Sequence, residues 1–260
     1  MTFDWAHAWQ IVAVLAAAFA GGVLNVIAGG GSLITFPTLL FVGLNPILAS
    51  ATNTVALWPA SATGVYGFRL DILRTRRSLL LLLIPSVVGG VIGGLILLRT
   101  PARLFELIAP YLVLAATVLI AVQGRIGRWA RHDPQTGPSP AWWVVAVIVQ
   151  LAVSIYGGFF GAGIGILMLA TLGLIGVRDL NEMNGLKNLY AVAINGAAIV
   201  YFVARGAVVW TVVPVMVVGS VAGGLAGSTL AHRTDQRIMR RVIVGIGMAM
   251  TVALVARIYL

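Results

Sequence analysis

The chain has 260 residues, 60% of them hydrophobic and 9% charged, whereas about a quarter of the residues in a soluble domain are charged. This composition excludes a soluble globular domain, a disordered chain and a coiled coil. The long apolar segments also exclude an outer-membrane barrel, so we predict an all-α polytopic membrane protein. The net charge of +10 is expected from arginine-rich cytoplasmic loops and needs no nucleic acid partner.

Ten apolar elements follow one another along the chain. The first five cover residues 9–28, 33–42, 47–67, 78–98 and 104–123, and the second five cover residues 142–160, 166–175, 181–203, 208–230 and 241–259. The second and seventh elements are only about ten residues long, which as helices is about 15 Å, or half of a bilayer. We therefore predict short or broken helices at these places, with eight to ten full crossings.

The two halves of the chain resemble each other. The stretch VVGGVIGGL at residues 87–95 and the stretch VVGSVAGGL at residues 217–225 are identical at seven of nine positions, and Asn53 recurs as Asn188. We predict two transmembrane repeats, over residues 1–123 and 141–260, joined by a linker at residues 124–140.

Arginine clusters set the predicted orientation in a bacterial-type inner (plasma) membrane. They occupy residues 69–77, the linker and residues 233–241, and such clusters lie on the cytoplasmic side. The cluster after the third element then faces inward, whereas the corresponding loop after the eighth element faces outward. The repeats are therefore predicted to have inverted topology, with a non-cytoplasmic N-terminus and a cytoplasmic linker.

Glycines of two kinds stand out. Gly29, Gly30 and Gly31 precede Ser32 at the start of the second element, and residues 161–165 precede the seventh element. Breaks of this kind let the backbone approach a ligand, and the N-terminus of the next short helix suits an anion. The alternative is close helix packing, which we predict for the regularly spaced glycines of two later elements: Gly89, Gly90, Gly93, Gly94, Gly219, Gly223, Gly224 and Gly227.

Polar side chains mark the third and eighth elements. Thr52 and Asn53 lie in the third element, and Asn184, Lys187 and Asn188 lie in the eighth. Lys187 is the only lysine of the chain, and an ionisable group inside a span is a candidate for function. The alternatives are a lysine that reaches the interface or pairs with the nearby Glu182, and asparagines that only join helices.

The chemistry of an enzyme has little support in the sequence. There is no cysteine, and the three histidines lie at or beyond the ends of elements, so we expect no metal site and no cofactor. No nucleophile stands beside a base within the apolar elements, and we expect no catalytic residue. The carboxylates Asp179 and Glu182 are expected at a helix N-terminus, and Glu106 is expected to pair with Arg103.

Two modules of the chain resemble a known family. The run GGVLNVIAGGGSLITFPTLLFVGLNPILASATNTVAL at residues 21–57 resembles the first module of the TauE/SafE family of membrane permeases. The run at residues 157–195 is similar to the second module, except that its glycine triplet is GxG and Thr171 stands in place of Pro37. Lys187 stands where the first module has Thr52, so the two site halves are not equivalent.

The resemblance implies a carrier of sulfite or organosulfonates that works by alternating access, with export favoured over import. The substrate site is predicted to comprise Gly29, Gly30, Gly31, Ser32, Thr52, Asn53, Gly163, Gly165, Asn184, Lys187 and Asn188. The expected partners are the small anion and the lipid bilayer, while a coupling proton or other ion and a homo-oligomer remain open. The alternatives are a permease for another small organic anion such as a carboxylate, and a membrane scaffold subunit that transports nothing.

Overall fold

The computed structural model describes residues 8–75, 77–129, 140–177, 179–231 and 236–259, which form helices and contain no strand. The first half contains seven helices: α1 (Ala8–Ala28), α2 (Ser32–Phe41), α3 (Pro46–Gly67), α4 (Arg69–Leu73), α5 (Arg77–Leu80), α6 (Leu83–Arg99) and α7 (Ala102–Trp129). The second half contains five: α8 (Pro140–Phe159), α9 (Ile164–Leu174), α10 (Leu180–Ala204), α11 (Val213–Ala231) and α12 (Gln236–Tyr259). The predicted all-α membrane fold is confirmed.

Five of the described helices are long and apolar enough to cross a membrane. They comprise residues 8–27 of α1, 102–122 of α7, 180–204 of α10, 213–230 of α11 and 241–258 of α12. The predicted short elements are α2, with 10 residues, and α9, with 11. Helix α3, with 22 residues, is longer than two of the five, but the Ser, Thr and Asn side chains along it lower its hydropathy.

Prolines account for two differences between the predicted and observed helices. The predicted element at residues 78–98 is divided into α5 and α6, because the ring of Pro85 opposes helical backbone at Leu81 four residues earlier. Helix α11 begins at Val213, five residues later than predicted, since Pro214 is favoured in a first helical turn. Helix α4, which lies within a predicted loop, was not predicted.

The predicted linker has a helical beginning. Helix α7 continues through Gly124 to Trp129, and Pro140 already belongs to α8. Residues 130–139 lie outside the described residues, as do the N-terminal residues 1–7 and Arg233, so the predicted topology of the linker and of the N-terminus stays a prediction.

The two halves exchange partner helices. Helix α1 packs mainly against α11, and α8 packs mainly against α6. Helix α3 packs against α11 and α10 against α6, while α3 contacts α10 and α7 contacts α12. These main contacts of one half therefore have counterparts in the other, which is the pattern that two repeats would give.

The glycine faces of α6 and α11 form these exchanged contacts, as predicted. A Cβ atom at Gly90 would meet the backbone of Ile194, and one at Gly93 would meet the backbone of Ile155. In α11, a Cβ atom at Gly223 would meet the backbone of Phe19. The backbones approach so closely that only glycine fits, which is how helices associate where lipid offers no hydrophobic driving force.

Candidate functional site

The two helix breaks meet each other inside the protein. Gly29 and Gly163 both have positive φ angles, of 70° and 75°. The N–H of Gly163 donates a hydrogen bond to the carbonyl of Gly29 at 3.0 Å. A Cβ atom at Gly29 would lie 2.6 Å from Cα of Gly165, which no real side chain allows. Glycine at residue 29 is therefore required both by its φ angle and by the contact with the other half.

Two short helices begin at this meeting point, and neither has a side-chain cap. The N-cap residues are Gly31 for α2 and Gly163 for α9, and no side chain accepts a hydrogen bond at either. Residues 29–37 and 162–166 are buried. The first N–H groups of a helix have no partner within the helix and must find a cap, a water or a ligand. Some of these N–H groups are already bonded, those of Leu33 and Ile34 to Gly30 and Gly31 and that of Ile166 to Gly163. Both starts still present a positive dipole end, which suits an anion.

Gly30 and Gly31 hold the first break tightly against its neighbours. A Cβ atom at Gly30 would lie 3.0 Å from the side chain of Ile120 in α7. One at Gly31 would lie 3.0 Å from Cβ of Asn25 and would also meet the carbonyl of Gly21, both in α1. The start of α2 is thus folded back against α1.

Lys187 joins the second half of the chain to the end of α1. Its side chain is only 1% exposed. Its ammonium donates to the carbonyl oxygens of Val26 at 2.8 Å and Ile27 at 3.1 Å, and to Oδ1 of Asn184 at 3.3 Å. All three N–H donors of the ammonium are therefore used by protein oxygens. The predicted contact between Lys187 and the anion requires that one of these donors be exchanged.

The positive charge of Lys187 has no carboxylate partner in the part of the chain that the structure describes. The one ion pair there joins Arg103 to Glu106 at 3.0 Å, as predicted. Glu182 instead accepts a hydrogen bond from the hydroxyl of Thr75 at 2.9 Å. The charge of Lys187 is therefore compensated by the carbonyl end of α1, where a cation is favoured.

Asn53 and Ser32 are brought together, as the predicted site requires. Nδ2 of Asn53 donates to Oγ of Ser32 at 3.0 Å, at the start of α2. Oδ1 of Asn53 is buried without a hydrogen-bond partner. The neighbouring Thr52 is engaged elsewhere, because its hydroxyl accepts the N–H of Val209 at 3.0 Å. Asn53 thus presents an unused acceptor at the first break.

Asn188 presents an unused donor instead. Its side chain is 1% exposed and packs against Gly64 of α3, and Nδ2 has no hydrogen-bond partner. Asn53 precedes Gly64 in α3 by eleven residues, or about 16 Å of helix rise. The structure therefore does not bring Asn53 and Asn188 to one point, although both are buried along the same helix.

Two contacts at the breaks were not predicted from the sequence. Nδ2 of Asn25 donates to Oγ of Ser61 at 2.8 Å, which joins α1 to α3. The hydroxyl of Tyr156 donates to the carbonyl of Ala162 at 2.8 Å, beyond the end of α8. Asn25 could have been found, since it is a polar residue in an apolar run one turn before Gly29. Tyr156 carries no such signal.

The remaining candidates have structural roles. Asp179 caps α10 and accepts the N–H groups of Asn181 and Glu182 at 2.9 and 2.8 Å. The described residues contain no group of three His, Cys, Asp or Glu side chains that could hold a metal ion. The chemistry of the site is therefore that of backbone N–H groups, amides, a hydroxyl and one ammonium.

Comparison with known proteins gives a consistent result over nearly the whole chain. The sequence model of the family described as "Sulfite exporter TauE/SafE" matches residues 14–254. A Haemophilus influenzae protein is 27% identical over 239 residues, which is 91% of each chain. A Sinorhizobium sp. protein, ORF9, is 28% identical over 255 residues, covering 96% of this chain and 94% of its own. An Escherichia coli K12 protein, YfcA, is 28% identical over 239 residues, covering 91% and 86%. All three are named probable membrane transporter proteins. No solved structure matches significantly.

Proposed function

The chain belongs to the TauE/SafE family, and from that premise we propose that it is a secondary transporter of a small sulfur oxyanion, sulfite or an organosulfonate. Export across the bacterial inner membrane is the proposed direction, since the family description names sulfite exporters. The observation that supports an anionic substrate best is the meeting of two buried, uncapped helix starts beside a lysine that has no carboxylate partner among the described residues.

The electrostatics at the break of the first half favour an anion only because of Lys187. Helix α1 ends where α2 begins, so a negative and a positive dipole end lie side by side. Uncompensated carbonyls at the end of α1 would repel an anion held at the start of α2. The ammonium of Lys187 binds two of those carbonyls and neutralises the negative, C-terminal end of α1. The positive end is then free to attract the substrate.

The second break is compensated by a neutral group. The hydroxyl of Tyr156 donates to the carbonyl of Ala162, just before α9 begins. The two breaks thus have similar backbones but different charges. Substrate oxygens would accept hydrogen bonds from N–H groups at both helix starts. The net positive charge would be that of Lys187, beside the first break.

The side chains proposed as direct ligands are those that still have a hydrogen-bond donor available. Ser32 lies at the start of α2, and its hydroxyl already accepts from Asn53, so its hydrogen can be donated to an oxyanion. Asn184 holds the ammonium of Lys187. Asn188 has an unused donor at Nδ2 but lies beside Gly64, away from Ser32, so it would reach the anion only after the two halves move. Because these groups suit a carboxylate as well as a sulfur oxyanion, a carboxylate permease is the alternative.

Alternating access is supported by the exchanged packing of the two halves. Contacts along α3 and α10 run in opposite order, since Gly64 lies beside Asn188 whereas Trp58 donates to the carbonyl of Val192 at 3.0 Å. Opposite order is expected if the halves are inverted repeats. We propose that the halves rock about the contact between Gly29 and Gly163, with the substrate bound beside it.

Flux in proteoliposomes tests the proposal. Vesicles are loaded with sulfite, sulfoacetate, sulfate or a carboxylate, and counterflow is measured for the unmodified protein and for Lys187→Met. Saturable flux of sulfite or sulfoacetate that falls about tenfold or more in Lys187→Met supports the proposal, since the variant loses a buried charge-assisted interaction. The matched control is Gln150→Leu; Gln150 is a buried polar residue of α8 whose side chain donates to Ser86 at 2.9 Å, away from the breaks. The flux of this variant should be unchanged.

Each other outcome rejects a defined part of the proposal. Flux of the carboxylate alone keeps the carrier and removes the sulfur substrate. Flux without counterflow indicates a channel. An absence of flux for every anion, with folded protein in the vesicles, favours the scaffold function.

A further inference from the structure

The ammonium of Lys187 lies in a coordination shell made of oxygen atoms. Two are the carbonyls of Val26 and Ile27, at 2.8 and 3.1 Å, and the third is Oδ1 of Asn184 at 3.3 Å. Carbonyl and amide oxygens are the ligands of hard cations. In carriers built on broken helices, carbonyls at the C-terminal ends of half-helices are where a coupling Na⁺ or proton binds. The set around Lys187 has this composition and this location.

A cation is favoured at this point of the fold. The carbonyls of Val26 and Ile27 belong to the last turn of α1, which the break at Gly29 leaves without continuing N–H groups. Val26 is buried and Ile27 is half-buried, so water has little access to replace a missing donor. Without a positive charge here, a helix C-terminus would face the proposed anion site directly.

We propose that Lys187 is a tethered cation that occupies the site a free monovalent cation would otherwise fill, so that the carrier needs no dissolved Na⁺ at this site. The part that concerns coupling rests on the proposed transport function, whereas the cation site itself rests on the contacts alone. A lysine ammonium is compact and carries three donors, which matches three oxygens in number. Its connection to α10 means that the cation is never released with the substrate.

The proposal predicts what happens when the tether is removed. In Lys187→Ala, the oxygens of Val26, Ile27 and Asn184 remain, and the space of three methylene groups and an ammonium is vacated. A free cation, either Na⁺ or a short alkylammonium such as propylammonium, should then bind. In Lys187→Met, the space stays filled by an apolar chain of similar length, and no cation should bind. The Met variant is therefore the matched control.

The first experiment measures thermal unfolding of the purified full-length protein in detergent. The unmodified protein, Lys187→Ala and Lys187→Met are heated in NaCl, propylammonium chloride or N-methyl-D-glucamine chloride at equal ionic strength. The unmodified protein should have the same Tm in all three salts. Lys187→Ala should gain about 3–5 °C in NaCl or propylammonium chloride over N-methyl-D-glucamine chloride when the cation is at about ten times its Kd. Lys187→Met should gain nothing.

Two results would overturn the cation site. One is a Tm of the unmodified protein that rises selectively in NaCl by an amount that Lys187→Met loses, because Na⁺ would then bind together with the lysine and not in its place. The other is a Tm of Lys187→Ala that no cation raises, or that cations raise no more than they raise the Tm of Lys187→Met. If Lys187→Ala cannot be purified folded, Asn184→Ala is used, which keeps the lysine but removes one oxygen; its Tm should fall and should stay independent of the salt.

A second experiment separates this inference from the transport function. Sulfite counterflow of the unmodified protein is measured with Na⁺ on both sides, on one side, or replaced by N-methyl-D-glucamine. Equal rates support a tethered cation, and a rate that requires Na⁺ overturns the coupling part. If no anion is transported, the transport function fails, but the unfolding experiment still decides whether Lys187 fills a cation site.

Discussion

The carbonyl of Gly29 accepts the N–H of Gly163 at 3.0 Å, so the break that ends the first helix of one half is bonded directly to the break of the other half. This bond joins two segments of irregular backbone at the centre of a helical membrane protein. Irregular backbone at membrane depth is tolerated only against protein or a water-filled path. Here the carbonyl of one break and the N–H group of the other satisfy each other.

Gly29→Ala should abolish the folded carrier, whereas Gly206→Ala should be tolerated. Both glycines have positive φ angles, of 70° and 64°, so both substitutions cost about 1–2 kcal/mol of backbone strain. A Cβ atom at Gly29 also collides with Gly165, while one at Gly206 meets nothing within 4 Å. The measurements are the folded yield in the membrane and the Tm. Equal loss in the two variants would contradict the close contact of the breaks.

The hydrogen bond between Asn53 and Ser32 should contribute both to the stability of the fold and to the affinity for the substrate. A double-mutant cycle with Asn53→Ala and Ser32→Ala should give a coupling energy of about 1 kcal/mol in unfolding. The same cycle on Gln150 and Ser86, another buried pair at 2.9 Å, should give similar coupling in stability. Only the first pair should change the concentration of sulfite that half-saturates counterflow. Equal effects of both pairs on that concentration would place Asn53 outside the site.

Asn188→Leu should stabilise the protein while it weakens transport. Nδ2 of Asn188 is buried without a partner, and an unsatisfied buried donor costs about 1–3 kcal/mol. The leucine side chain has the same branched shape and no polar atoms, so it removes that cost and the Tm should rise by a few degrees. The loss of a substrate donor should lower counterflow at subsaturating anion. If the variant is less stable and transports normally, Nδ2 of Asn188 stabilises the fold and does not bind the substrate.

Lys187 should be shielded from amine reagents in the folded protein. It is the only lysine in the chain and is 1% exposed, so acylation at a lysine reports on this one site. In detergent micelles, labelling of the peptide that contains residue 187 should be slow and should become fast after unfolding. Peptide mass spectrometry separates it from labelling of the N-terminal amine. Rapid labelling of folded protein would mean that the ammonium leaves the oxygens of α1.

Asp179→Ala should lower stability without changing transport. The carboxylate of Asp179 caps α10 by accepting two N–H groups, and loss of such a cap costs about 1 kcal/mol. The cap lies two turns before Lys187 and touches none of the residues at the breaks. Thermal unfolding and counterflow of the same preparation check this; Asp179→Asn should restore most of the stability.

The helices and the two breaks could be predicted because apolar length and glycine placement carry strong local signals. The glycine faces of α6 and α11 were recognised as packing surfaces from their spacing. The division of α5 from α6 follows from Pro85, whose effect on Leu81 is local, but an uninterrupted apolar run concealed it. Helix α4 has five residues and no apolar period to reveal it.

The candidate site was only partly predictable, because its contacts join residues that are far apart in the chain. The sequence indicated that Lys187 is buried and functional, but its bonds to Val26 and Ile27 depend on where α10 crosses α1. Repeat symmetry suggested that Asn53 and Asn188 act together. The structure separates them, since a single helix, α3, contacts Asn188 at Gly64 and carries Asn53 eleven residues earlier.

The exchange of partner helices between the halves has a consequence for how the protein is made. Helix α1 ends at Ala28, but its main partner, α11, begins at Val213. At 5–20 residues per second, a ribosome needs about 10 to 40 seconds to synthesise the residues between them. Throughout that interval α1 lies in the bilayer with its α11-facing surface covered only by lipid or by the insertion machinery. Helix α1 is thus synthesised well before its main partner and can complete its packing only after most of the second half has been translated.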